Sequence, residues 1–201
     1  MDTKLAAIIV HDIKNSLGVL EGELRALTME SDSKRAALAH LTCLGLQEKL
    51  IGFLTLYKAS SQGLIAQIEA ISPEDFFNSL LRHLTVGKAS LEVSINRTDL
   101  PVIAFFDENL VGLALEAALQ NATRFARRRI ELGCKAHAGG IIMTIRDDGP
   151  GIGTQEEKPS TGLGMELCQA IAAAHTKGEQ RGSATLENHP DGGAQFTLWL
   201  P

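Results

Sequence analysis

The start of the chain carries a hydrophobic pattern that only a helix satisfies. Thr3 to Glu30 contains no proline, and Leu5, Ile9, Ile13, Leu17, Leu20, Leu24 and Leu27 recur at steps of four and three. That spacing lines one face of an α-helix with apolar side chains. Ser31–Asp32–Ser33 interrupts the run and offers an N-cap for a second helix. The second helix is expected over Lys34–Ala59, with Leu38, Leu41, Leu46, Leu50, Phe53, Leu54 and Tyr57 on its apolar side. Two helices joined by a tight turn form a hairpin, and a hairpin alone buries its stripe poorly. Pairing two copies into a four-helix bundle covers it, so the pattern predicts a homodimer.

Past the hinge sequence Ser60–Ser61–Gln62–Gly63 the pattern becomes mixed α/β. Strands are expected at Ile65–Ile71, Leu91–Asn96, Val102–Phe106, Ile130–Ala136, Ile141–Arg146, Ala184–Asn188 and Gln195–Leu200. Helices fit Pro73–Leu84, Glu108–Ala126 and Gly164–His175, and turns fit Ala138–Gly140 and Asp191–Gly193. The expected organisation is a helical hairpin over residues 1–62 and, over 63–201, an α/β sandwich with an open mixed sheet and helices on one face.

Composition narrows the function. The 201 residues are 44% hydrophobic but only 4% aromatic, so the cores are expected to be mostly Leu, Ile, Val and Ala. The net charge of −5 gives no long-range attraction for nucleic acid or an anionic membrane. The cluster Arg124, Arg127, Arg128 and Arg129 is local, a phosphate rim or a solvated helix end. Cys43, Cys134 and Cys168 are odd in number and widely spaced, which fits reduced, buried thiols better than disulfides or zinc. No apolar run reaches the roughly 18–20 residues of a membrane span, so the chain reads as cytoplasmic.

Four short motifs carry chemistry. His11 lies about 160° around the helix from Ile13, on the solvent side, where a neutral imidazole can attack a phosphoryl group. Asp12 can hold the other ring nitrogen or take its proton, and Asn15, one turn on, can position water. Farther along, Asn121 and Arg124 share a helix face with Phe125 beside them. An amide oxygen suits Mg²⁺, a guanidinium suits phosphate, and a phenyl ring can cover a base. In the third motif the strand Ile141–Arg146 delivers Asp147 into the turn Asp148–Gly149–Pro150–Gly151–Ile152–Gly153. A carboxylate there can accept from the exocyclic amine of adenine, and glycines permit close backbone approach. In the fourth, Thr161–Gly162–Leu163–Gly164–Met165 opens a helix whose N-terminal N–H groups can bind phosphate. Each fragment alone is also an ordinary helix end or glycine turn.

Together and in this order the four resemble the catalytic core of two-component sensor histidine kinases. The resemblance implies that His11, Asp12 and Asn15 form the phosphoacceptor motif and that Asn121 binds Mg²⁺. It further implies that Asp147 reads adenine while Gly149 and Gly151 shape its pocket, and that Gly162 and Gly164 bound a lid over ATP. Three features depart from the family pattern. Ser16 stands where proline is common, Ala117 where a second Asn or a Glu is common, and the lid, about Thr154–Ser160, is short. The implied function is a histidine autokinase that uses ATP and Mg²⁺ and passes the phosphoryl group to the receiver domain of a response regulator. With only ten residues before His11, its input is expected from a separate sensor protein. A dimeric histidine phosphotransferase with weak or absent ATP use is the alternative. A non-catalytic docking module is a third reading, opposed by Asp12 and Asn15 beside His11.

Overall fold

A computed structural model describes residues 3–29, 33–83, 91–153 and 163–201, with side chains at all of these except 3–12, 28, 29, 48 and 83. Its contacts divide the chain into two units, Met1–Gly63 and Leu64–Pro201.

The first unit is the hairpin of α1 (Thr3–Met29) and α2 (Ser33–Ser61). Ser31 and Asp32 of the expected cap lie outside the described residues. The expected single seam is divided. Ile13, Ser16, Leu20, Glu23 and Leu27 are half-buried, whereas Leu17 and Leu24 are 53% and 51% exposed. On α2 the side chains buried in the hairpin are Ala39, Leu46 and Leu56, while Leu38, Leu41, Leu50, Leu54 and Tyr57 remain exposed. Apolar residues thus surround more of each helix than its neighbour covers. The Ser16 hydroxyl accepts from Lys49 Nζ at 3.1 Å across the hairpin.

The second unit is built on a five-stranded sheet. Its strands are β2 (Glu92–Asn96), β4 (Arg129–His137), β5 (Gly140–Asp147), β9 (Ala194–Leu200) and β8 (Ser183–Asn188), in the order β2-β4-β5-β9-β8. Only β2 and β4 are parallel, so the sheet is mixed as expected. A separate antiparallel pair joins β1 (Glu69–Ile71) to β3 (Ala104–Phe106). Alternation along β5 buries Ile141, Met143, Ile145 and finally Asp147 on one face. The helices α3 (Pro73–His83), α4 (Glu108–Phe125) and α5 (Leu163–Ala174) complete the unit, with α4 and α5 packed on each other and on the sheet. At the β4–β5 turn, Ala138 and Gly139 both have positive φ, 49° and 79°, the backbone that a two-residue hairpin loop requires.

Aliphatic side chains dominate the core, but four phenylalanines join them. Phe76, Phe77, Phe106 and Phe196 are all buried, and the Phe76 and Phe106 rings meet edge to face at 5.1 Å. Three local expectations need correction. The strand expected over Ile65–Ile71 is only Glu69–Ile71. Before it, the Gln67 N–H donates to Asp107 Oδ2 at 2.8 Å rather than to a neighbouring strand, and Ile65 is 88% exposed. The strand expected from Val102 starts at Ala104, after an exposed Val102. A short hairpin, β6 (Thr176–Lys177) with β7 (Gln180–Arg181), was not expected at all.

Of the cysteines, Cys134 and Cys168 are buried as expected, and burial pushes both thiols up to about 12. Cys43, on α2, is exposed instead. Cys168 Sγ donates to the Ala114 carbonyl at 3.3 Å and so ties α5 to α4.

Candidate nucleotide site and phosphoacceptor helix

α4 and α5 present their ends to one cavity of about 300 Å³. Asn121 and Arg124 line it from α4, Gly164 and Met165 from the first turn of α5, and Leu186 and Phe196 from the sheet. The structure therefore joins Asn121 and Arg124 to Gly164, which lies 40 or more positions later in sequence. Ala117 lines the same wall, and a Cβ at Gly164 would sit 3.9 Å from that of Ala117. Two small residues thus let the start of α5 approach α4 while leaving the cavity open. Gln120, not singled out from sequence, adds a second amide beside Asn121. Gly162, Thr161 and the expected lid Thr154–Ser160 lie outside the described residues.

α4 starts where it does because Asp107 caps it. Asp107 Oδ1 accepts from the Leu110 N–H at 2.9 Å, satisfying one of the N-terminal donors a helix leaves unpaired. The buried Asp107 N–H in turn donates to His175 Nε2 at 3.1 Å, and His175 Nδ1 lies 2.8 Å from the Ile171 carbonyl. A nitrogen that accepts must be unprotonated, so His175 is a neutral imidazole with its proton on Nδ1. Burial lowers its pKa, opposed by the Ile171 carbonyl and the charge of Asp107.

Asp147 closes the apolar row of β5. It is 6% exposed, and its Oδ1 accepts from Gly149 N–H at 2.8 Å and from Ala194 N–H at 3.4 Å. No described residue donates to Oδ2. A carboxylate set into an apolar row needs donors, and Oδ2 suits an amine donor such as that of adenine. Asp147 does not line the cavity itself. It lies on the same buried sheet face as Phe196, because Ile145, two residues before it on β5, pairs with Phe196. Gly149 is obligatory for steric reasons, since a Cβ there would stand 2.6 Å from both Asp147 Oδ1 and the Phe125 carbonyl oxygen. Gly151 has φ +84, open to glycine, and a Cβ there would meet Asn188 Oδ1 at 2.5 Å.

Phe125 is not among the cavity-lining residues. Its ring carries the Arg124 guanidinium at 5.1 Å from the centroid, and its carbonyl abuts Gly149. The basic cluster after α4 has an unforeseen role. The N–H groups of Arg127, Arg128 and Arg129 all donate to Asp148 Oδ1, at 2.9, 3.0 and 3.1 Å. Partial burial works to raise the Asp148 pKa, but these three donors win and hold it below the usual carboxylate value. The end of α4 is thereby fastened to the glycine turn.

The residues expected to form the phosphoacceptor motif lie on α1, in the other unit. His11 and Asp12 fall within the helix, their side chains outside the described set, and Asn15 is exposed one turn on. Among the described residues no cluster of three His, Cys, Asp or Glu is placed to hold a metal. The cavity wall offers amide oxygen from Asn121, which fits a Mg²⁺ that keeps most of its ligands from phosphate and water.

Residues 106–201 match the family described as histidine kinase-, DNA gyrase B- and HSP90-like ATPase. The sensor protein KdpD of Escherichia coli is 26% identical over 220 residues, covering 98% of this chain and 24% of that protein. The sensor histidine kinase component HK1 of Mycobacterium tuberculosis is 30% identical over 116 residues, covering 52% of this chain and 68% of that protein. The fold of the Acinetobacter baumannii histidine kinase AdeS matches with a TM-score of 0.72 at 21% identity, covering 94% of this chain and 96% of that one. This chain belongs to the sensor histidine kinase family. It spans only about a quarter of the length of KdpD and 46% of Escherichia coli CpxA, another relative.

Proposed function

We propose that the chain is a protein-histidine kinase that binds ATP with Mg²⁺ in residues 63–201 and phosphorylates His11 on the hairpin of residues 1–62. The observation that carries this reading is the convergence of Asn121, Arg124 and the N-terminus of α5 on one cavity, with Asp147 buried on the sheet face that carries the cavity-lining Phe196. Helix N-terminal N–H groups and Arg124 bind the phosphates, Asn121 offers oxygen to Mg²⁺, and Asp147 Oδ2 accepts from the adenine amine. Gly149, Gly151, Gly162 and Gly164 let the backbone close around the nucleotide. A neutral ring nitrogen of His11 attacks the γ-phosphorus, an N–P bond forms, and the bond to the β–γ bridging oxygen breaks to release ADP. Asp12 orients the other ring nitrogen or accepts its proton.

The phosphoryl group then passes to an aspartate carboxylate on a response-regulator receiver. Asn15 positions water for its later hydrolysis. A partner of this class fits because ThkA, whose fold matches with a TM-score of 0.68 at 16% identity, is found in complex with the response regulator TrrA. ShkA, with a TM-score of 0.63 at 17% identity, is found in complex with AMPPNP. The exposed apolar side chains of α1 and α2 support a homodimer through the hairpins. Among the described residues no helix is long and apolar enough to cross a membrane, and the use of ATP favours a cytoplasmic setting for the reaction.

Ala117 favours a second reading, a dimeric histidine phosphotransferase that uses ATP weakly or not at all, because a methyl group cannot serve as an oxygen ligand where the family pattern leads one to expect Asn or Glu. Calorimetric titration with Mg·ATP separates the two. The kinase reading expects binding below millimolar concentration. No heat at millimolar Mg·ATP would leave the phosphotransferase.

A further inference from the structure

The turn after Asp147 is held at both ends by one register pair of the β8–β9 hairpin. Asn188, the last residue of β8, pairs with Ala194, the first of β9. Ala194 N–H donates to Asp147 Oδ1 at 3.4 Å, gripping the start of the turn. Asn188 Oδ1 accepts from Ile152 N–H at 2.5 Å, gripping its far end. The fit is close on both sides. A Cβ at Gly151 would collide with Asn188 Oδ1, and one at Gly193, which has φ +83, would collide with the Asp147 main chain. The His189 N–H donates to the Gly193 carbonyl at 3.0 Å, so the hairpin end that carries both grips is itself closed.

We propose that Asn188 is a positioning residue for nucleotide binding: its amide oxygen fixes Gly151–Ile152 and so holds the turn in the shape that presents the Asp147 carboxylate to the base. The proposal rests on the reading of Asp147 as the adenine acceptor. The clasp itself is a property of the protein without ligand. Ile152 has a main-chain donor at a turn where neither β5 nor β9 offers it a ladder partner, since β5 ends at Asp147 and its pairing with β9 ends at Arg146–Gln195. An acceptor from β8 supplies what the sheet does not. Any side chain with an oxygen at that reach serves, whereas an apolar side chain of the same size does not.

Asn188→Leu and Asn188→Asp, made in the full chain, test this. Leucine removes the acceptor at similar volume, and aspartate restores it. Adenosine is the first ligand, because without phosphates it is insensitive to the charge that aspartate adds, and Mg·ATP is the second. At a temperature where all variants are folded, Asn188→Leu is expected to weaken both ligands about fivefold, the worth of one modest hydrogen bond. Asn188→Asp should bind adenosine within about twofold of the parent. Amide hydrogen exchange at Ile152 should be slow in the parent and in Asn188→Asp, and about tenfold faster in Asn188→Leu. Parent-like adenosine binding by Asn188→Leu, or equal weakening by both substitutions, would overturn the proposal. If the parent itself bound no adenosine, the adenine reading would have failed, and exchange alone would decide the clasp, with a fast Ile152 amide in the parent overturning it.

Discussion

The main-chain N–H of Asp107 donates to Nε2 of buried His175 at 3.1 Å, although 68 residues separate them in sequence. The bond joins the N-cap of α4 to the residue just past α5, so the two helices that wall the cavity share one buried polar anchor. It also requires a neutral imidazole. Because burial depresses the folded-state pKa of His175, the unfolded chain takes up the proton more readily. The anchor's contribution is therefore complete above the unfolded value of 6.5 and is lost as pH falls from there toward the folded pKa. Urea unfolding at pH 8 and pH 5.5 should show the protein weaker at the lower pH. His175→Phe should lower stability at pH 8 by about 1–3 kcal/mol, through the unpaired Asp107 N–H, and should reduce the difference between the two pH values. An unchanged difference would contradict this account.

Asp147→Asn keeps an oxygen for the Gly149 N–H but turns an amide donor toward the base. ATP affinity should fall about ten- to a hundredfold, for a lost charge-assisted hydrogen bond of roughly 1.5–3 kcal/mol, while folding is retained. Calorimetry with Mg·ATP checks it, and parent-like affinity would remove Asp147 from the site.

Much of this site is legible in the sequence, for a physical reason. Asp147 is recognisable because the alternation of β5 runs directly into a glycine turn. Asn121 and Arg124 are recognisable because helical spacing sets them on one face. Asn188 and Asp148 gave no such signal. Asn188 reaches Ile152 across 36 positions, and Asp148 gathers three amides about twenty positions away. Such contacts depend on strand pairing, which local patterns do not encode. The segment around Ile65 misled for the opposite reason. Its apolar residues suggest a strand, but the buried Asp107 carboxylate claims the Gln67 amide.

Gly149→Ala places a methyl group against the Phe125 carbonyl oxygen and Asp147 Oδ1, both backed by fixed main chain. Thermal or urea unfolding should show a loss of about 1–3 kcal/mol. ATP binding should fall further than stability alone explains, because the displaced group is the Asp147 carboxylate. Gly139→Ala is a suitable control: a Cβ there meets nothing within 4 Å, although its φ of +79 still carries some strain.

Leu50 is 46% exposed on α2, so a charge there costs an isolated hairpin little. In a dimer built on that face, Leu50→Glu buries an unpaired carboxylate, at a cost of about 3 kcal/mol or roughly a hundredfold in dissociation constant. Light scattering at micromolar concentration should show a dimer for the parent and a shift toward monomer for the variant. A monomeric parent would rule out pairing through the hairpins.

Transfer of phosphoryl from ATP to His11 is the central claim, and labelling tests it most directly. The full chain incubated with γ-labelled ATP and Mg²⁺ should become labelled with an acid-labile, base-stable phosphohistidine. His11→Ala should abolish the label, and Asp12→Asn should slow its appearance by about a hundredfold. A His11→Ala protein still fully labelled, with the phosphoryl group mapped to another residue, would contradict the account.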